Sequence, residues 1–163
     1  MEEGIRLVAE LMCISARSAP KTGGEDYLTI KFCSREEIKS IAKSMIDFGE
    51  KHSKDKFIRD GTSLLKSKGL VLIGLKPHPP TGWNCGACGR DCKNFSEGSN
   101  CAFRLIDLGI AVGSAAKTAS LHNVDNRIMY RVGEIAKDTK VMKANFVLGI
   151  PLAVTGKSIY FDR

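Results

Sequence analysis

The chain has 163 residues, 43% hydrophobic and 26% charged, the balance of a folded protein rather than a disordered one. A chain this long buries roughly two thirds of its unfolded surface, so neither a disulfide nor a metal is needed merely to fold it. Its 25 Lys and Arg exceed 18 Asp and Glu by +7, but the basic residues are dispersed. Their mild concentration over 51–68 is broken by Asp55 and Asp60, so a nucleic-acid partner is not expected.

The longest strongly apolar run, 70–75, is too short to cross a bilayer, so no membrane partner is expected. The acidic start Met1-Glu2-Glu3-Gly4 lacks the basic and apolar pattern of a secretion signal. The expected location is the cytoplasm, and the expected organisation is a single α/β domain over 1–163.

Residues 2–17 place Ile5, Val8, Leu11 and Met12 at helical spacing, and Pro20 ends that helix. Lys21-Thr22-Gly23-Gly24 reads as a flexible loop and 27–32 as a β-branched and aromatic strand. Ser34-Arg35-Glu36-Glu37 is a capping box, opening a helix that runs to about 52. A polar helix over 55–67 is expected to stop at Gly69. The run 70–75 has strand length and no polar face, as in a strand covered on both sides.

From 76 to 100 the chain is rich in Pro, Gly, Asn and Cys, without periodicity. A loop this long is usually functional. Residues 103–122 form a helix of small side chains, including Gly109, Ala111, Gly113, Ala115 and Ala119. Such residues let a second helix approach closely, in the core or across a dimer, or leave room for a flat cofactor. Asp125 is placed to cap a helix over 126–137. A buried strand over 145–150 is expected to end at Pro151. Helices alternate with at least three strands, an α/β pattern.

Six cysteines are unevenly distributed. Cys13 and Cys33 are isolated in apolar surroundings and read as core. Cys85, Cys88, Cys92 and Cys101 follow C-x2-C-x3-C-x8-C, forming a Cys-rich metal-binding loop over 76–102. In a reducing compartment such a cluster points to metal rather than disulfides. Thiolates select zinc or iron–sulfur centres. Structural zinc usually takes two separated C-x2-C pairs. One such pair, a third nearby cysteine and a remote fourth fit a 4Fe–4S cluster better, with zinc the alternative. Arg90, Lys93 and Arg104 nearby either solvate the surface or offset the negative charge of such a centre.

Two decoys are set aside. Thr155-Gly156-Lys157-Ser158 imitates a phosphate-binding loop, but Pro151 stands where its first glycine belongs. His52, His78 and His122 have no activating partner at a spacing that sequence establishes.

The stretch Asn84-Cys85-Gly86-Ala87-Cys88-Gly89 with Cys92 is similar to the start of small iron–sulfur domains. Residues 85–101, 107–116, 149–152 and 156–163 together resemble prokaryotic proteins described as containing a ferredoxin domain. Ala16-Arg17-Ser18-Ala19-Pro20 before a strand, Asp107 opening a small-residue helix, and Gly149-Ile150-Pro151 resemble the flavin-dependent nitroreductase fold. That resemblance implies a three-layer α/β sandwich and a homodimer. If FMN binds, it makes Arg17, Ser18 and Lys21 the phosphate candidates, although Gly23-Gly24 stands where that family offers Asn. Three functions follow: an iron–sulfur redox protein passing electrons to a partner protein, an FMN-dependent oxidoreductase with an accessory cluster, and a structural-zinc module with a basic surface.

Overall fold

The computed structural model of the chain describes residues 1–96 and 98–161. Helix α1 (Glu2–Ser18) leads to β1 (Leu28–Phe32), followed by α2 (Arg35–Lys51) and α3 (Asp55–Lys66). Strand β2 (Gly69–Leu75) precedes the cysteine loop, and α4 (Ala102–Leu121) follows it. The chain closes with β3 (Asp125–Asn126), α5 (Tyr130–Asp138) and β4 (Phe146–Ala153). The sheet order is β1-β2-β4-β3 with every pairing antiparallel.

Strand β2 is buried along its whole length, as its unbroken apolar run requires. Alternation sends Val71, Ile73 and Leu75 into one core, with Val8, Met12, Leu108 and Ala115 of α1 and α4. Leu70 and Leu72 enter the other, with Ile38, Met45, Leu64 and Val132 of α2, α3 and α5. The result is the expected three-layer sandwich: two helices, the sheet, then three helices. Ser34 accepts from the Glu37 amide while Glu37 accepts from the Ser34 amide, completing the capping box.

Several local expectations are corrected. Pro151 does not end β4, which continues to Ala153. Gly149 exchanges both backbone bonds with Met129, at 2.8 and 3.1 Å. Two residues on, the nitrogen of Pro151 points the same way, into the gap between Asn126 and Met129, so its missing N–H costs no ladder bond. Asp125 does not cap a helix at 126. Residues 125–126 pair with the edge of β4, Met129 bonds it again, and α5 starts only at Tyr130. Gly69 does not stop α3 but opens β2, where a Cβ would sit 3.2 Å from Ile5 and Phe32. Nor is 21–24 a free loop. Thr22–Gly24 is a 3-10 turn whose Thr22 amide and hydroxyl donate to Asp107 of α4, at 2.8 and 2.7 Å.

Candidate metal centre

The segment from 76 to 101 joins β2 to α4 and has few apolar side chains to fold it. Rings supply what packing there is: His78 lies against Tyr27 and Phe95, at 6.0 and 5.7 Å between centroids, and Trp83 meets Phe103 edge-on at 4.9 Å. Asn84 closes the loop on itself. Its side-chain oxygen accepts from the Cys92 amide at 3.1 Å, and its own amide donates to the Cys92 sulfur at 3.3 Å. Between them Gly86 and Gly89 adopt φ of +69° and +79°, and the Gly89 amide closes a turn on the Gly86 carbonyl at 2.8 Å. Side chains rarely adopt that conformation, so the glycines are what permit Cys85 and Cys88 to stand on one tight turn.

The four sulfurs occupy different environments. Cys85 is exposed, Cys88 and Cys92 are half-buried, and Cys101 is buried. Cys101 is the N-cap of α4. Burial pushes its thiol up, but hydrogen bonds from the amides of Thr81, Phe103 and Arg104 and from the Thr81 hydroxyl outweigh burial, and its pKa falls below the ordinary thiol value. This is the expected effect of a thiol seated beside the first-turn amides of a helix. Cys33 lies in the second core, where burial, its largest influence, pushes its pKa up to about 12. Cys13 on α1 is half-buried against the first core.

Four free thiols in one loop, with an N–H donor already placed on the Cys92 sulfur, have the chemistry of a soft-metal or iron–sulfur donor set. Among the described residues no three His, Cys, Asp or Glu side chains converge closely enough to hold an ion. The loop thus brings the cysteines to one end of α4 without closing them on a point.

One functional group was misjudged from sequence. Arg104 is 2% exposed. Its Nη1 donates to the Thr22 carbonyl at 2.8 Å and lies 3.5 Å from Asp107, its Nη2 pairs with Glu25, and the guanidinium sits 4.7 Å over the Tyr27 ring. Its Nε is buried without a partner among the described residues. No sequence signal separates it from the exposed Arg90 and Lys93; only the turn at Thr22–Gly24 folding over α4 does so.

The three phosphate candidates gather at the end of α1 with partners of their own. Arg17 pairs with Asp26 at 2.5 Å and donates to the Leu28 carbonyl. Lys21 caps the carbonyls of Ala16, Arg17 and Ala19. Ser18 bonds back to Ile14.

The architecture is that of the nitroreductases. The chain superposes on a nitroreductase with bound FMN from Desulfitobacterium hafniense with a TM-score of 0.64 and 13% identity, over 97% of this chain and 80% of that one. An FMN-dependent nitroreductase from Mycobacterium smegmatis, solved with NADPH, gives 0.60 at 12% identity, over 96% and 79%. Nitroreductase A of Vibrio parahaemolyticus gives 0.60 at 8%, over 93% of this chain but only 59% of that longer one.

An uncharacterized protein of the archaeon Archaeoglobus fulgidus is 46% identical over 171 residues, spanning 99% of this chain and 92% of its relative. Residues 97–163 match the family described as uncharacterized proteins containing a ferredoxin domain, and the chain belongs to that family. The matched segment holds Cys101 but not Cys85, Cys88 or Cys92. Its last two residues, Asp162 and Arg163, which the sequence resemblance also used, lie outside the described residues. Among the described residues no helix is long and apolar enough to cross a membrane.

Proposed function

We propose that the protein is an iron–sulfur redox protein in which Cys85, Cys88, Cys92 and Cys101 hold a 4Fe–4S cluster within the 76–102 loop of a single α/β domain. The observation that carries this reading is the placement of four free thiols within one loop, with the buried Cys101 at the N-cap of α4 and its pKa lowered there. Cys85 and Cys88 stand on the glycine turn, and Cys92 opens the 3-10 turn that follows it. Bound there, the cluster would supply one-electron oxidation and reduction. The chain's own residues would hold the sulfurs and aim the Asn84 amide at that of Cys92. A redox protein in a reducing cytoplasm would exchange the electron.

Anaerobic purification with iron, sulfide and zinc analysis tests this. About four irons per chain and broad absorbance near ~400 nm are expected of a cluster held by four thiolates. One zinc and no iron would replace the reading with the structural-zinc module. The second reading, an FMN oxidoreductase with an accessory cluster, is favoured by the fold shared with two FMN-containing proteins. A flavin phosphate at Arg17, Ser18 and Lys21 would have to compete with the partners these side chains already have. Flavin fluorescence released on denaturation decides it.

We also propose that the protein is a homodimer through α4. The outward stripe of that helix carries Ile106, Ile110 and Leu121, 40–67% exposed, and Gly109 and Gly113 with open space where a Cβ would be. Leu7 and Ile14 of α1 are exposed in the same layer. Two adjacent helices about 30 Å long and 20 Å across present roughly 600 Å² in projection, the scale of the ~800 Å² per partner that a stable interface buries. Gly113→Arg should convert the dimer to monomer in sedimentation without unfolding it.

A further inference from the structure

The three-helix layer carries a polar cavity well away from the cysteine loop. On α3, Arg59, Thr62, Ser63 and Lys66 stand at i, i+3, i+4 and i+7, so they form one stripe of the helix. That stripe faces the turn after β4, where Lys157, Ser158 and Ile159 complete a cavity of about 410 Å³. Both walls are fixed. The buried Tyr160 hydroxyl shares a 2.8 Å hydrogen bond with that of Ser67 at the end of α3, and Arg127 donates to the Tyr160 carbonyl at 2.9 Å. The Thr155 hydroxyl closes the turn on the Lys157 carbonyl at 2.6 Å. Three cations line the cavity and no carboxylate does. Asp60, buried beneath, orients Arg59 by accepting from its Nε and Nη2 at 2.9 and 2.7 Å, which leaves Nη1 for another acceptor. The second Asp60 oxygen is taken by Arg131 at 2.6 Å, so one carboxylate answers two guanidinium groups and a positive charge remains. Lys66 makes no ion pair among the described residues. Nor is it needed to cover the negative end of α3, because Arg35 donates to the carbonyls of Leu65 and Ser67 there. Ser158 accepts from the Tyr160 amide at 3.3 Å, so its own O–H is left to donate. The Thr62 hydroxyl, by contrast, is spent on the Ile58 carbonyl.

We propose that this cavity is a binding site for a phosphorylated small molecule, whose phosphate is held by Arg59, Lys66, Lys157 and the Ser158 hydroxyl. A phosphate offers more charge and more acceptor oxygens than a carboxylate, and it suits a guanidinium edge beside ammonium groups. The volume falls within the range of small-ligand pockets, so there is room beyond the phosphate for the rest of the molecule. This is not the nucleotide loop that Thr155-Gly156-Lys157-Ser158 imitates, since among the described residues no helix follows it. A second lysine-rich hollow, at Lys137, Lys140 and Lys143, lacks these features: no hydroxyl lines it, and Lys137 is paired with Glu134. Strand β2 begins just after α3 and ends where the cysteine loop leaves. Its seven residues separate the two regions by roughly 20 Å, so the site stands or falls apart from the cluster.

The test is calorimetric titration of the purified full chain with ribose 5-phosphate, with ribose as the uncharged control and sodium chloride keeping the ionic strength constant. Saturable binding of one ribose 5-phosphate per chain is expected, displaced by inorganic phosphate, and none of ribose. Lys66→Gln, an exposed change, should weaken binding about tenfold, as for one charge-assisted hydrogen bond. Ser158→Ala should weaken it about threefold, nearer the value of an ordinary hydrogen bond. The pair Lys140→Gln with Lys143→Gln removes two charges elsewhere and should change binding less than Lys66→Gln does. Amide NMR shifts on titration should concentrate at 59–66 and 157–159. No saturable binding of ribose 5-phosphate or inorganic phosphate up to about 10 mM overturns the proposal. So does binding that ribose matches, that both Lys66→Gln and Ser158→Ala leave unchanged, or that the Lys140 and Lys143 pair weakens as much as Lys66→Gln.

Discussion

Cys33 and Cys101 are almost equally hidden, at 3% and 4% exposure, yet their surroundings push the thiols in opposite directions. Cys33 sits past the end of β1 among Ile38, Leu70 and Leu72 in the second core, and burial drives its pKa to about 12. Burial also acts on Cys101, but the neighbouring backbone of Thr81, Phe103 and Arg104 at the start of α4 and the Thr81 hydroxyl lower its pKa. Burial alone suppresses the thiolate; burial beside N–H dipoles favours it. The same contrast separates the two regions around them. The sheet sandwich is held by interdigitated apolar side chains, whereas the loop from 76 to 100 is held by a few polar contacts and ring pairs.

The sharpest way to break the sandwich is at Gly133. A Cβ there would fall 1.8 Å from the Val147 carbonyl oxygen, a backbone clash between α5 and β4 that no rotamer change relieves. Gly133→Ala should cost roughly 3 kcal/mol or more, at or beyond the upper end of ordinary overpacking, read as a collapse of the urea midpoint.

The loop should break differently. Cys88→Ser should abolish iron binding and expose 78–100 to protease, while stability changes by no more than about 0.5 kcal/mol, the range of substitutions outside a core. A large loss of stability in this variant would show that loop and sandwich fold as one unit.

Thiol chemistry sharpens the contrast between cysteines. In metal-free, reduced protein near pH 8, alkylation should label Cys85 quickly and leave Cys33 unmodified until the chain unfolds. A pKa of about 12 against an ordinary ~8.5 lowers the thiolate fraction on the order of a thousandfold. Peptide mass spectrometry reads both sites, and rapid native labelling of Cys33 would contradict its placement.

The smallest effects lie at the entry to α2. Ser34→Ala should cost about 1 kcal/mol, the usual loss for an N-cap, measured by denaturant unfolding. Burial raises the Glu37 carboxyl, but the Lys31 side chain and the Ser34 amide bring it below the ordinary value. A group with a depressed folded pKa stabilises above its unfolded pKa, here ~4.3. That contribution is lost as pH falls further, through the folded value. Glu37→Gln should therefore lower stability slightly near pH 7, where the contribution is fully present, change it least at low pH, and so flatten the acid limb of the profile.

Much of the framework was legible in the chain itself. The 70–75 run, the capping box at Ser34 and the periodicity of α1 report local chemistry: which faces must be apolar, and which side chain can satisfy a free amide. The sequence likewise determined that four thiols share one glycine-bearing loop, because their spacing is a covalent fact. Only the tertiary structure decided the rest. Pro151 continues a strand because its nitrogen meets a gap in the neighbouring edge, and 125–129 stays extended because β4 offers that edge. Arg104 becomes a buried charge because the Thr22–Gly24 turn, some 80 residues away in sequence, folds over it. Such outcomes depend on what a distant segment brings alongside, and no local pattern carries that information.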